Sequence, residues 1–432
     1  MNGRPARVID FSEALAVVVR EAANVRLPKS ERVALLASVG RVLAEPIAAD
    51  RDQPPFDRAT RDGFAVRAEE WSARKKLRVV GQVRAGEIWN DAAIASDEAV
   101  EIMTGAPVPS GADAVAMVEH AEQSGSEVKA AAGRILRVGE NVVPRGSEAR
   151  AGDVVLQPGV AIGAAEIALA AMCGCSQIAI YMQPRVAIVA TGDELVEIDD
   201  KPAPHQIRNS NSYALAAFVG AVGGDARRLP IAPDTREDLR ARIAEARDAD
   251  LLLLSGGVSA GKYDLVEDVL AEFGAEFFFT GVKMQPGKPV VFGRTPKAGC
   301  PTSRRDVGDA AHNRPGGDEW LYLFGLPGNP VSTEVTFRCF AEPLLRALCG
   351  TETDSIAPKF VQAILAEEIR AKSGLTRLLP ARLMHSFERL EVRLVSWQGS
   401  GDLAANARAN CYAVLPDGRD LHAGEVVTVL LR

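Results

Sequence analysis

The sequence predicts a multidomain α/β plus β protein, with a central parallel α/β domain lying between two regions of short strands. Three observations carry this. The chain has 432 residues, which at roughly 150 residues per domain means about three domains. From Arg185 to Leu348 apolar strands alternate with helices, the pattern of a parallel sheet with crossover connections. From Leu77 to Val155, and again after Pro358, short apolar or alternating runs sit between Gly, Pro and Asp turns.

In chain order, Asp10 and Glu13 form a capping pattern, and Leu15, Val18, Val19 and Ala22 recur at helical spacing. A second helix is expected after Ser30, closing near Gly40. Residues 52–62, DQPPFDRATRD, cannot be regular, because adjacent prolines forbid a helix and interrupt a ladder. LRVVGQVRAG, EAVEIMTG and DAVAMVE then read as strands of a small β domain ending near the turn Arg150-Ala151-Gly152-Asp153. Helix texture returns from Gly163 to Met172.

After Pro184, RVAIVATG, ARRLPIAP and DADLLLLSGG read as strands. Helices are expected at Tyr213–Val222, closed by Gly223-Gly224, from Asp234-Thr235 to Ala246, and from Tyr263 to Phe273. KPVVFG and YLFGLPG are further strands, and Pro330–Leu348 a further helix. The near-continuous hydrophobicity of these strands implies burial on both faces. The polar segment 295–319 reads as a mobile surface insertion. VQAILAEEI, ERLEVRLVSW and EVVTVLL make a small terminal β-barrel or sandwich.

Composition narrows the function. Net charge is −7 and no dense basic run occurs, so no nucleic-acid partner is expected. Apolar runs such as Leu251–Leu254 are too short to cross a bilayer, so no membrane role is expected. The first residues show no apolar signal core, and the six scattered cysteines suit a reduced, cytoplasmic setting. Cys173 and Cys175 form C-G-C, which is not a zinc half-site.

In open α/β sheets ligands bind beyond the carboxyl ends of the strands. Four such places carry unusual residues: Thr191-Gly192-Asp193-Glu194, the loop SGGVSAG (255–261) followed by Asp264, Pro286-Gly287-Lys288-Pro289, and Gly325-Leu326-Pro327-Gly328-Asn329-Pro330. Glycines let backbone N–H groups approach an anion, and helix N-termini add a positive dipole. SGGVSAG is therefore a phosphate-cradle candidate, and Lys288 could neutralise that phosphate. Glu194 and Asp264 become cation ligands or proton handlers, since carboxylates beside phosphates reach them through Mg²⁺. Each motif alone also reads as a tight turn or a helix cap. Their convergence at one sheet favours a site for a phosphorylated small molecule with Mg²⁺.

The strings PPFDRATRDGFAVR (54–67), EIMTGAPVPSGADAV (101–115), VATGDEL (189–195), SGGVSAGKYD (255–264), MQPGKP (284–289) and FGLPGNPVS (324–332) resemble one family in content and order. This is the molybdopterin molybdenumtransferase family of the MoeA type, which includes the C-terminal domain of gephyrin. The resemblance implies a molybdopterin-binding-like α/β domain, an elongated N-terminal domain, a small inserted β domain and a C-terminal β-barrel. Boundaries are expected at 1–52 with 151–183, then 53–150, 184–350 and 356–432.

The implied activity belongs to molybdenum cofactor biosynthesis: molybdate is inserted into adenylylated molybdopterin and AMP is released, with Mg²⁺ assisting. The implied assembly is a homodimer whose cleft joins the α/β domain of one subunit to the small β domain of the other. A molybdopterin adenylyltransferase is the implied substrate donor. Carried over residue by residue, Asp62, Thr104, Glu194 and Asp264 are the catalytic candidates. Glu194, Asp234 and Asp264 are the metal candidates, and Gly256, Gly257, Ser259, Lys288, Pro327 and Asn329 the substrate-binding ones.

The chain departs from the family pattern at Ala59 (Ser in the family), Arg61 (Met), Val143 (Arg), Gln285 (Lys) and Pro380 (Arg). Arg145, Lys283, Arg377 and Arg382 stand nearby. The alternative function is a divergent protein that binds or delivers the cofactor without making it. The retained acidic set argues for the enzyme.

Overall fold

The computed structural model describes residues 7–257, 263–297, 320–370, 374–385, 387, 389–416 and 418–432, with the side chains of Tyr263 and Asp264 outside that description. Most of the 295–319 insertion, residues 298–319, therefore lies outside the described residues. The chain divides into two compact units, one of residues 45–157 and 164–177, the other of residues 1–44, 158–163 and 178–432.

The smaller unit is built on a six-stranded sheet in the order Ala114–Met117, Gly63–Val66, Glu98–Ile102, Leu77–Val83, Glu127–Ala130, Ala121–Ser124. Side chains alternate across it, as a period of two requires. Phe64, Val66 and Ala99 pack with Trp71 and Leu77 on one face, while Ala65, Val100 and Ile102 pack with Val83 and Ile94 on the other. At Gly63 the neighbouring strand comes so close that a Cβ would stand 1.8 Å from the Ala116 carbonyl oxygen.

The larger unit holds a six-stranded sheet in the order Asp225–Arg228, Arg185–Ala190, Leu251–Ser255, Trp320–Leu326, Val291–Pro296, Glu276–Phe279. The first four strands are parallel. The last two run antiparallel to their neighbours, which corrects the expectation of an all-parallel sheet. The reason is the connection. No helix lies between Glu276–Phe279 and Val291–Pro296, and only a parallel return needs a crossover.

Both faces of the parallel strands are buried. Val186, Ile188, Leu251, Leu253, Tyr322 and Phe324 face one helical layer. Ala187, Val189, Leu252, Leu254, Leu321 and Leu323 face the other. The helix Phe11–Ala23 belongs to the first layer, where Phe11 meets Phe340 edge-on at 6.0 Å between ring centroids. Asp10 precedes that helix but does not cap it with its side chain, which pairs instead with Lys283 at 3.1 Å. The helix expected from Ser30 to Gly40 is absent. Ser30–Ala34 is a strand and Leu35–Ser38 a 3₁₀ turn. Leu36 and Val39 are exposed, so the apolar residues here form no stripe that a helix could bury.

The terminal region is a closed five-stranded barrel. Thr376–His385 pairs with both Leu390–Leu394 and Cys411–Leu415, and Phe360–Leu365 with Val426–Leu431 completes the ring. Met284–Gln285 adds to it, parallel to Thr376 and Arg377.

Thr235 caps the helix Arg236–Glu245, accepting the Asp238 N–H at 3.1 Å and donating to its carboxylate at 2.7 Å. Thr235→Ala should lower stability by about 1 kcal/mol, read by chemical denaturation, whereas Thr235→Ser should lie close to wild type.

Candidate functional site

A cavity of about 520 Å³ opens at the carboxyl ends of the parallel strands. After Arg185–Ala190 come Thr191, Gly192 and Glu194, after Leu251–Ser255 come Gly256 and Gly257, and after Trp320–Leu326 come Gly328 and Asn329. Asp234 lines the same cavity. Two loops lie nearly in contact. Thr191 N–H donates to the Ser255 carbonyl at 2.9 Å and Gly256 N–H to Leu326 at 3.3 Å. Gly256 has φ +95°, and a Cβ there would stand 2.3 Å from the Thr191 carbonyl oxygen. Gly257 has φ +68°, with the Thr191 methyl at 2.8 Å. Only glycine fits at either position.

The two carboxylates are held differently. The Glu194 side chain folds over Gly192, where an added Cβ would lie 2.5–2.8 Å from its carboxyl atoms. Asp234 accepts from the Thr191 hydroxyl at 3.0 Å, and its own N–H donates to Asp193 at 3.0 Å. Two oxygen donors in the wall of one cavity are the chemistry a hard cation takes. Among the described residues no three His, Cys, Asp or Glu cluster closely enough to hold a metal ion by themselves. Asp264 lies in the first turn of the helix Tyr263–Glu272, its side chain outside the description, and Ser259 lies outside the described residues altogether.

Lys288 does not line this cavity. It is exposed and lines a second one, of about 340 Å³, together with Pro327, Gln285, Trp397 and Ser400. Asn329 borders both. Among the described residues Lys288 thus shares no cavity with Gly256 and Gly257, and the loop beyond Gly257 that it is expected to face lies outside the described residues up to Gly261. The turn carrying it follows Met284–Gln285, which pairs with a barrel strand, so the turn borders the barrel. Its backbone is tightly set: Gly287 has φ +106°, and a Cβ there would stand 2.5 Å from the Thr336 methyl.

Sequence reasoning missed Asn211, whose amide donates to Ser255 Oγ at 2.9 Å and to the Gly328 carbonyl at 2.7 Å. It thereby joins the start of the helix Asn211–Val222 to two strand-end loops. The run Asn209-Ser210-Asn211, rich in capping side chains before a helix, was the available signal. Gly401 and Leu403, from the barrel, also line the first cavity, and no local signal marks them.

In the smaller unit, Asp62 accepts from the Thr104 N–H at 2.6 Å and from the Thr104 hydroxyl at 2.8 Å. These two hydrogen bonds, the backbone one foremost, hold the Asp62 carboxyl below the ordinary carboxylate range. The group stays ionised at neutral pH, and the stabilisation from this pairing is lost only as pH falls through the lowered value.

Residues 9–174 match the family described as the MoeA N-terminal region (domain I and II), residues 187–347 a probable molybdopterin binding domain, and residues 362–431 the MoeA C-terminal region (domain IV). A molybdopterin molybdenumtransferase of Staphylococcus epidermidis is 31% identical, over 98% of this chain and 95% of that protein. One from Staphylococcus aureus is also 31% identical, with the same coverage. The molybdopterin biosynthesis MoeA protein of Pyrococcus horikoshii superposes with TM-score 0.74 at 25% identity, covering 99% of this chain and 100% of that one. Another Pyrococcus horikoshii structure of a molybdopterin biosynthesis MoeA protein gives TM-score 0.69 at 30% identity, covering 98% of this chain and 99% of that one. Among the described residues no helix is long and apolar enough to cross a membrane.

Carbon-detected NMR of the Asp62 carboxyl should give a titration midpoint below the ordinary aspartate value. Thr104→Val should move it upward and Thr104→Ser should not. An unmoved midpoint in Thr104→Val would show that the hydroxyl contributes nothing.

Proposed function

This chain belongs to the molybdopterin molybdenumtransferase family, transferases of molybdenum cofactor biosynthesis, and we propose that it inserts molybdate into adenylylated molybdopterin with release of AMP, assisted by Mg²⁺. The observation that carries this reading is the convergence of Glu194, Asp234, Gly256 and Gly257 on one cavity at the strand ends.

The chain's own residues divide the work. Glycine at 256 and 257 lets this loop pack against Thr191, which brings its backbone to the cavity wall as a place for a phosphate. Asn211 keeps the loops at Ser255 and Gly328 at a set separation. Glu194 and Asp234, with Asp264, would hold Mg²⁺, which when bound offsets phosphate charge. Lys288 in the adjoining cavity offers a compact positive charge to an anionic group of the substrates. Asp62, oriented by its two hydrogen bonds from Thr104, presents a carboxylate to a cationic group.

In this reading the protein works in the cytoplasm as a homodimer, and a molybdopterin adenylyltransferase supplies its substrate. The acidic pair Glu194 and Asp234 supports the enzyme over a delivery protein, which has no need of carboxylates against an anionic ligand.

Purified protein should release AMP from adenylylated molybdopterin only when molybdate is present, and chelation of Mg²⁺ should stop the release. Binding without release would leave the delivery reading. Glu194→Gln should cut turnover by about a hundredfold with little change in thermal midpoint. Lys288→Ala should weaken binding of the adenylylated substrate about ten- to a hundredfold, measured by calorimetry. Equal weakening for the phosphate-free pterin would remove Lys288 as the phosphate contact. Sedimentation should give the mass of two chains. Mixing Asp62→Asn with Asp264→Asn chains should recover activity if each site draws on both subunits, and a mixture without activity would argue for a site made by a single chain.

A further inference from the structure

The wall that the barrel contributes to both cavities is a short run of backbone. Gly401 and Leu403 border the first cavity, and Gly399 and Ser400 the second. This run lies along the start of the helix beginning at Pro330, where Val331 N–H donates to the Ser400 carbonyl and the Asn329 amide to Ser400 Oγ, both at 3.0 Å. Those two bonds are too few to set its position. Its other restraints come from the barrel helix Leu403–Arg408, which is held at both ends.

At the N-terminal end Asp402 accepts from Ala405 N–H at 2.9 Å and from Gln398 N–H at 3.0 Å. At the C-terminal end stands Arg432. Its Nη1 donates to the Asn406 and Ala409 carbonyls, each at 2.6 Å. Its Nε and Nη2 form a fork onto the two oxygens of Glu334, each at 2.7 Å. Glu334 is nearly buried, its side chain 5% exposed, within the helix whose first residues border the site. Glu334 also accepts the Asn406 amide at 2.7 Å, and Asn406 Oδ1 takes the Tyr412 hydroxyl at 2.8 Å. The Asn406 amide therefore has one orientation, and the network closes on itself.

We infer that Arg432 is a positioning residue for the site, holding the barrel helix and the Gly399–Leu403 wall against the helix that begins at Pro330. The inference rests on the functional reading above, because the site it positions is that one. Arginine suits this task and lysine does not. A planar fork can grip a carboxylate with two N–H groups while a third nitrogen takes two carbonyls, and an ammonium offers no such fixed geometry. A wall residue touches the ligand before and during the reaction alike, so its displacement should appear in KM more than in kcat.

The test uses the full chain with Arg432→Lys, Arg432→Ala and Glu334→Gln, each first shown to unfold cooperatively. KM for adenylylated molybdopterin should rise about tenfold with kcat nearly unchanged, and amide exchange at residues 398–408 should accelerate. Millimolar guanidinium should restore the KM of Arg432→Ala. Wild-type KM and wild-type exchange in Arg432→Lys and Glu334→Gln, with loss confined to thermal stability, would overturn the inference. A wild-type protein with no molybdate-dependent AMP release would overturn the functional reading instead. The exchange rates would then decide the positioning role of Arg432 alone, with acceleration upholding it and wild-type rates refuting it.

Discussion

Burial of the parallel strands on both faces is the constraint from which the site follows. Leu251 to Leu254 alternate between two apolar layers, and the neighbouring strands do the same. No polar side chain can be accommodated along such a strand without a partner. Polar chemistry is therefore confined to the strand ends, where the backbone leaves the sheet. There the loops approach so closely that side chains are excluded at Gly256 and Gly257. What remains exposed is backbone, two carboxylates and a helix start, the polar groups on which the proposed function rests.

Much of this was legible because strand identity and glycine placement are local properties. The run Leu251-Leu252-Leu253-Leu254 is too short for a helix and too apolar for an exposed strand, so its place could be read directly. Gly223 closes its helix with φ +103°, as its position after an apolar run implied. The segment Ser30–Gly40 misled because its apolar residues count correctly but face solvent, and exposure is not a local property. The antiparallel edge strands misled for a related reason: an apolar run has no direction, and only the connection reveals it.

The site was less legible than the fold, and the difference tracks sequence distance. Glu194, Asp234, Gly256 and Gly257 stand at ends of neighbouring strands, so topology alone brings them together. Lys288 follows a two-residue strand whose partner lies about ninety residues later in the barrel, and nothing near it announces that pairing. Asn211 resembles an ordinary helix-cap residue, yet its amide reaches Ser255 and Gly328. Thr104 is marked by its motif, but the double hydrogen bond it donates to Asp62 joins residues forty-two apart and is set by the fold.

The departures from the family pattern also have a spatial logic. Gln285 and Arg377 stand in register on the paired strands Met284–Gln285 and Thr376–His385. Each keeps a buried polar atom with no hydrogen-bond partner among the described residues, Oε1 of Gln285 and Nε of Arg377. Burial also lowers the Arg377 pKa, although the guanidinium remains charged at neutral pH. A lysine in place of Gln285 would set two cations side by side on adjacent strands, where like charges repel. A neutral amide beside Arg377 avoids that repulsion and leaves Lys288 as the exposed cation bordering the second cavity. Pro380, where the family carries arginine, is buried in the barrel strand and still accepts the Val395 N–H at 2.9 Å. Losing the arginine there therefore costs the barrel no backbone pairing at that carbonyl, and among the described residues Lys288 is the cation that lines the second cavity.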